Sequence, residues 1–133
     1  MALMYAELSE QIIKSFYHVY NSLGPGFLEK VYENALCISL RKQGLTVDHQ
    51  LPITVRFEGE VVGEYFADLR VEASVILEIK AGEAIAAEHE AQLLNYLKAT
   101  GYQLGIILNF GPTATFSRRV FSPKPIRGNP QNP

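Results

Sequence analysis

The stretch FADLRVEASVILEIKA, residues 66–81, indicates both the fold of the chain and the place of its chemistry. In each half of the stretch, alternate residues form one apolar face and the charged residues stand on the other face, which predicts two β-strands that each have one apolar face. The apolar positions are Ala67, Leu69 and Val71 in the first strand and Val75, Leu77 and Ile79 in the second. If the two strands pair as a hairpin, their apolar faces must coincide.

The register of this hairpin brings two carboxylates together. The apolar faces coincide when Leu69 lies opposite Leu77, because a shift by one residue would turn one strand over. The same register sets Asp68 opposite Glu78, and the Cβ atoms of directly opposed residues are about 4.5–5.5 Å apart. Two like charges repel at that distance, so the pair calls for an explanation.

Two explanations are open from the hairpin alone. On a solvent-facing hairpin, water would screen the two carboxylates, and Arg70 and Lys80 would compensate them. Alternatively the pair binds a divalent cation, since Mg²⁺ keeps several waters and needs only one or two protein carboxylates. Lys80 lies two residues after Glu78, which puts it on the same face about 7 Å along the strand. There it could orient a water or neutralise charge on a phosphate, as in a hydrolytic site for phosphodiesters.

The rest of the chain predicts an α/β (α+β) domain in the order ααββββαβ(β), with a mixed sheet flanked by helices. Apolar residues at steps of three and four predict helices over about 8–23 and 28–43 and within 84–101. Segments rich in β-branched and aromatic residues predict the strands. They are two strands around a turn at Glu58-Gly59, a third over Tyr65–Val71, a fourth over Val75–Lys80, a buried strand in 103–110, and a final or edge strand in 113–121.

Composition and charge limit the class of protein. The 133 residues, 47% of them hydrophobic, fit one domain over 1–121. The segment 122–133 holds four of the seven prolines and is expected to be an irregular tail. There is no secretory signal and no apolar run that could span a bilayer, and the single cysteine excludes an internal disulfide; these features predict a cytoplasmic protein. A net charge of −2 argues against a protein that coats nucleic acid through bulk charge.

The segment GPGFLEKVYENAL, residues 24–36, contains a further candidate. Glu29 stands in the first turn of the predicted second helix, where interaction with the helix dipole would be a sufficient explanation. It would instead belong to the site if the helix end approaches Asp68 and Glu78. Tyr32, one turn later, is a candidate for supporting Glu29 or contacting substrate.

Taken in order, these motifs resemble those of the GxxExxY proteins, small bacterial and archaeal members of the PD-(D/E)xK nuclease superfamily. The matching elements are Gly26 to Tyr32, Asp68, the run Glu78-Ile79-Lys80, the pair Gln92 and Tyr96, and the apolar strand that ends in Asn109-Phe110-Gly111. The resemblance covers about residues 8–121. One departure is Ala67, which stands where the superfamily often has proline, although that position tolerates change.

The resemblance implies a restriction-endonuclease-like fold, a central mixed sheet with helices on both sides. It implies that Asp68, Glu78 and the backbone carbonyl of Ile79 hold Mg²⁺, for which Mn²⁺ could substitute. Lys80 would take the role of the superfamily's lysine.

The resemblance also implies roles for residues on the helices. Glu29 would add a metal or water-mediated contact, and Tyr32 would support it. Gln92 and Tyr96 would lie beside the active site and contact nucleic acid or a metal-bound water.

Two functions are compatible with these observations. The first is a Mg²⁺-dependent nuclease that acts on DNA or RNA, with Glu29, Asp68, Glu78, Lys80 and Gln92 as its catalytic set. The alternative is a catalytically weak or inactive nuclease-fold module that acts with a protein partner or as a homo-oligomer. A purely structural hairpin would instead place the two strand carboxylates far apart or on opposite faces.

Overall fold

The computed structural model describes residues 5–122. Its elements are α1 (Ala6–Leu23), α2 (Glu29–Lys42), β1 (Val47–Phe57), β2 (Glu60–Val71), β3 (Val75–Lys80), α3 (Ala87–Thr100), β4 (Leu104–Phe110) and β5 (Ala114–Val120). The strands form one sheet in the order β1-β2-β3-β4-β5. Only β3 and β4 are parallel among these neighbours, so the sheet is mixed and the predicted fold class is confirmed.

Helices cover both faces of the sheet. The core beneath α1 and α2 is formed by residues such as Phe16, Leu36, Leu77 and Ile106, and it includes the buried Cys37. The core beneath α3 is smaller and contains Ile76, Leu93, Leu97 and Ile107. Because β3 and β4 are parallel, the chain needs a crossover between them, and α3 supplies it.

The structure corrects the predicted number of strands. Residues 60–71 form the single strand β2, so the break predicted before Tyr65 is wrong. Gly63 interrupts the apolar pattern, but it lies within the strand opposite Val55, next to a shift of register between Val55 and Arg56. A bulge of this kind absorbs an irregular position without ending the strand. The final strand, which the sequence left optional, is present as β5 at the edge of the sheet.

The predicted register of β2 and β3 is confirmed, since Leu69 pairs with Leu77 and Val71 with Val75. The expectation that Ala67 shares the apolar face of Leu69 is wrong. Leu69 packs in the core of α1 and α2, whereas Ala67 packs in the core of α3. The alternation of β2 is therefore interrupted at Asp68.

A backbone feature of β1 accounts for this interruption. Gln50 lies between His49, which pairs with Leu69, and Leu51, which pairs with Ala67. Its φ of 56° is in the left-handed region, which residues other than glycine adopt rarely. A left-handed residue within a strand turns the chain locally, and beyond it Leu51 and Ala67 pack toward α3.

Beyond this bend the β1–β2 hairpin continues as a two-stranded arm, residues 51–67, which we call the β1–β2 arm. Within the described residues β2 pairs with β3 only over 69–71, so the other edge of the arm's β2 portion has no partner strand. Ile53 is the arm's buried anchor against α3, packed with Leu93 and Tyr96.

The described residues contain no helix that is both long and apolar enough to cross a membrane. Residues 123–133 of the predicted tail lie outside the described part of the chain.

Candidate active site

Asp68 and Glu78 lie side by side where the pairing of β2 with β3 ends. The backbone N–H of Asp68 donates to Glu78 Oε2 at 2.9 Å, and the N–H of Ile79 donates to Asp68 Oδ2 at 2.7 Å. Each carboxylate thus accepts a hydrogen bond from the backbone of the opposite strand, just past the last ladder pair. The purely structural alternative, with the two carboxylates far apart, is excluded.

Burial makes this pair electrostatically costly. Glu78 is only 5% exposed, and burial, followed by the charge of Asp68, raises the pKa of Glu78 to about 8. Burial also raises the pKa of Asp68, against the hydrogen bond from the Ile79 N–H, which lowers it. Without a cation the pair therefore holds a proton near neutral pH, because two adjacent buried carboxylates disfavour a second negative charge.

The oxygen atoms around the pair fit a divalent cation. Among the described residues, hydrogen bonds to the pair use Asp68 Oδ2 and Glu78 Oε2, which leaves Oδ1 and Oε1 for another partner. The N–H and C=O of one strand residue point to the same neighbouring strand. Because the Ile79 N–H points to Asp68, its carbonyl oxygen faces that side as well.

Two carboxylates and one carbonyl are hard oxygen ligands of the kind that Mg²⁺ and Mn²⁺ take. The described residues contain no group of three or more His, Cys, Asp or Glu side chains that could hold a metal. An ion at Asp68 and Glu78 would therefore keep several waters, which Mg²⁺ does readily.

Lys80 lies within electrostatic reach of both carboxylates. Its charge lowers the pKa of Asp68 and of Glu78, although other influences outweigh it. The chain just after Lys80 is fixed by Asn109, which is fully buried. Asn109 Oδ1 accepts from the N–H of Gly82 at 3.0 Å, and Asn109 Nδ2 donates to the carbonyl of Gly82 at 3.0 Å. The Asn109-Phe110-Gly111 motif thus anchors the segment that carries the lysine.

Tyr32 fixes the turn that precedes α2. Its hydroxyl donates to the carbonyl of Gly24 at 2.5 Å and accepts from the N–H of Phe27 at 3.1 Å. Its ring stacks on Phe110, with centroids 4.5 Å apart and an interplanar angle of 10°. Tyr32 is fully buried, so its geometry suits support of the α2 start rather than contact with substrate.

Glu29 is exposed at the first turn of α2, yet it lies near Asp68. Both line a cavity of about 610 Å³ together with Gln50. The charge of Glu29 is the last of the causes that shift the pKa of Asp68 upward. The neighbouring charges that raise the pKa of Glu78 are Asp68 and Glu33, so Glu29 belongs to the Asp68 side of the site.

Glu33 is the acidic residue that the sequence reasoning missed. Its side chain is 4% exposed and makes an ion pair with His49. Gln50 Nε2 donates to Glu33 Oε2 at 2.8 Å, and Lys30 Nζ lies 3.4 Å from Glu33 Oε1. A signal was available, because Glu33 stands on the stripe of α2 whose other members are the buried Tyr32, Leu36, Cys37 and Leu40. A carboxylate at a core-facing helix position needs a buried partner.

Gln92 and Tyr96 lie on α3, on the other side of the carboxylate pair from Glu29. They line a second cavity, of about 790 Å³, between α3 and the β1–β2 arm. Tyr96 remains close to the pair: burial raises the pKa of Tyr96 to about 12, and the charges of Glu78 and Asp68 contribute to that rise. The structure thus places Gln92 beside Tyr96 in this second cavity and Glu29 in the first.

Comparisons with known proteins match this fold. A family model described as the PD-(D/E)XK nuclease superfamily matches residues 6–120. Among solved structures, SSO0001 aligns over 90% of this chain with a TM-score of 0.55 and 19% identity, and the chain spans 60% of SSO0001. An alkaline exonuclease from Laribacter hongkongensis aligns over 92% of this chain and 73% of its own, with a TM-score of 0.53 and 12% identity. No curated protein sequence gave a match.

Proposed function

The chain belongs to the PD-(D/E)XK nuclease superfamily, and on this premise we propose that it hydrolyses phosphodiester bonds in DNA or RNA with Mg²⁺ as cofactor. The observation that carries the proposal is the exchange of hydrogen bonds between Asp68 and the Glu78-Ile79 segment. It brings the two carboxylates side by side, with the Ile79 N–H turned toward Asp68 and Lys80 next along the chain, and this supports a cation site there. Mn²⁺, which takes the same oxygen ligands, is expected to substitute.

Each residue has a proposed role. Asp68, Glu78 and the carbonyl of Ile79 would hold the cation, which would supply charge neutralisation at the phosphate and acidify a water. Lys80, whose ammonium can only donate hydrogen bonds, orients the attacking water and offsets negative charge as the P–O bond breaks. Glu29 adds a water-mediated contact from the Asp68 side.

Gln92 and Tyr96 are proposed to hold the substrate on the other side of the pair. The side-chain amide of Gln92 can both donate and accept hydrogen bonds. Tyr32 keeps the start of α2, and with it Glu29, in place. The motif from Gly26 to Tyr32 supports placing the protein among the GxxExxY proteins.

The test is cleavage of labelled single-stranded, duplex and flap substrates in Mg²⁺ and in Mn²⁺. Lys80→Ala and Glu78→Ala should each lower the rate by at least about 100-fold, the usual loss when a group that stabilises developing charge is removed. Lys14→Ala, which removes an exposed lysine from α1, is the matched control and should cleave like wild type. Cleavage that persists in both site variants would disprove the assignment.

Calorimetry with Mn²⁺ separates this proposal from the alternative of an inactive interaction module. Wild type should bind Mn²⁺, and Asp68→Asn should bind it much more weakly because one charged ligand is lost. Absence of binding in wild type, or equal binding in the variant, would favour the interaction module.

A further inference from the structure

The second cavity has the form of a groove that runs beside the carboxylate pair. One wall is α3 and the other is the β1–β2 arm, and the buried Tyr96 forms its floor. We call it the α3 groove; the lining residues that matter here are Arg56, Tyr65, Gln92, Asn95, Tyr96 and Lys98. Its volume of about 790 Å³ is within the range of ligand-binding clefts.

The α3 groove adjoins the candidate active site through Tyr96. The ring of Tyr96 lies 5.8 Å from the ring of Tyr65, centroid to centroid. Tyr96 is also close enough to Glu78 and Asp68 for their charges to raise its pKa. A strand that extends from the groove past Tyr96 would therefore reach the two carboxylates.

The chemistry of the α3 groove suits nucleobases. Tyr65 is 47% exposed, and base–aromatic stacking is tolerant of sequence because every base has a π-face. Gln92 and Asn95 are exposed on one face of α3 and present both donors and acceptors for base edges. Arg56 and Lys98 supply two positive charges against the single carboxylate of Glu88.

The charges favour unpaired bases over a duplex. A duplex hides its base faces and is held chiefly through phosphate contacts, for which the α3 groove offers only two cations among its lining residues. The cavity on the Asp68 side is less suited to binding phosphate than the α3 groove, because the carboxylates of Glu29, Glu33 and Asp68 outnumber the single ammonium of Lys30 there.

We propose that the α3 groove binds unpaired nucleotides of the strand to be cleaved, with Tyr65 as the stacking surface. The substrate is then single-stranded nucleic acid or a duplex with an unpaired end. This inference rests on the proposed function, because the bound strand is the one that would be cleaved. The binding itself can be measured without cleavage.

The test is fluorescence anisotropy with the full chain in EDTA, which prevents cleavage, using a labelled oligothymidylate and a blunt duplex of the same length. Wild type should bind the single strand more tightly than the duplex. Tyr65→Ala should weaken single-strand binding by about 10- to 100-fold, as expected for loss of one stacking surface, and Tyr65→Phe should restore it.

Phe66→Ala is the matched control. Phe66 is the next residue on the same strand and is 58% exposed, but it is not among the residues that line the groove. Its removal should change affinity by less than about twofold. If Tyr65→Ala fails to fold by circular dichroism, Asn95→Ala replaces it; that change, at an exposed helix position, should cost about 2- to 10-fold.

Several results would overturn the inference. They are unchanged affinity in the groove variants, an equal loss in Phe66→Ala, or duplex binding as tight as single-strand binding. If neither nucleic acid binds, the groove has another occupant, such as a protein segment. Binding that depends on Tyr65 without any cleavage would instead reject only the proposed function.

Discussion

At the scale of single residues, Glu78 couples the chemistry of the site to the stability of the fold. A glutamate in the unfolded chain has a pKa of about 4.3, whereas burial and the charge of Asp68 raise the pKa of Glu78 to about 8 in the folded protein. Between these values the folded state binds the extra proton, so the free energy of unfolding falls as pH rises. The slope for one proton is about 1.4 kcal/mol per pH unit.

We therefore expect the metal-free protein to be most stable at mildly acidic pH and to lose stability up to about pH 8. Glu78→Gln should remove most of that dependence, because the amide does not titrate. Glu83→Gln, at an exposed position in the loop after β3, should keep the wild-type profile. Thermal unfolding in EDTA across this pH range measures the difference, and parallel profiles for wild type and Glu78→Gln would contradict it.

A bound divalent cation should restore the free energy of unfolding at the pH values where the carboxylate pair is deprotonated. Ligands must lose their protons before they bind a cation. Mn²⁺ should therefore raise the melting temperature of wild type more at the alkaline end of the range than at the acidic end. Glu78→Gln should show a much smaller rise.

The residues differ in how far the sequence could reveal them. Asp68 and Glu78 could be paired because a strand repeats every two residues and the apolar faces permitted one register. Glu33, His49 and Gln50 meet only because a helix packs beside a bent strand, and the sequence shows neither the packing nor the bend. The left-handed φ of Gln50 has no signal in the residue type, since glutamine is not a residue that favours this conformation.

At the scale of elements, the end of β3 is held by a close approach to the end of β4. A Cβ added to Gly111 would lie 2.0 Å from the carbonyl oxygen of Gly82, whereas the nearest atom to a Cβ on Gly82 is 3.9 Å away. The close approach keeps the loop after Lys80 against the hydrogen-bonding side chain of Asn109. The glycine of the motif is thus a packing requirement of the segment that carries the lysine.

This contact predicts opposite outcomes for two similar substitutions. Gly111→Ala should destabilise the protein by about 1–3 kcal/mol, the usual cost of overpacking, because the backbone must move away. Gly82→Ala should be close to neutral. Urea denaturation measures the stability of the two variants. Equal stabilities would contradict the prediction, because they would show that the loop after β3 can move away from a Cβ at position 111 without cost.

Residue periodicity and composition predict the bounds of the helices better than those of the strands. The helices α1 and α2 could be bounded to within two residues because their apolar steps and terminal residues agree. The sequence predicts two strands where the structure has the single strand β2, because the pairing with β1 that continues through Gly63 cannot be seen in the residues alone. The arm that this strand forms, and hence the α3 groove, follows from the uninterrupted pairing and could not be derived from the residues alone.

At the scale of the whole molecule, charge is divided around the carboxylate pair. The chain carries a net charge of −2, and acidic residues gather on the Glu29 side. The cations Arg56 and Lys98 lie on the side of the α3 groove. We therefore expect a bound nucleic acid to lie on the side of the α3 groove, and the long-range attraction of a polyanion to be weak.

This distribution predicts an unusually shallow dependence of binding on salt. Each phosphate contact to a single strand contributes about −0.7 to the slope of log K against log salt, so two cations give a slope of about −1.4. Lys98→Ala should reduce it to about −0.7, and Lys14→Ala, on the opposite face of the sheet, should leave it unchanged. Anisotropy titrations at several salt concentrations in EDTA measure the slopes. A slope steeper than about −3 would mean that phosphate contacts outside the α3 groove carry the binding, and stacking on Tyr65 would then not be its main source.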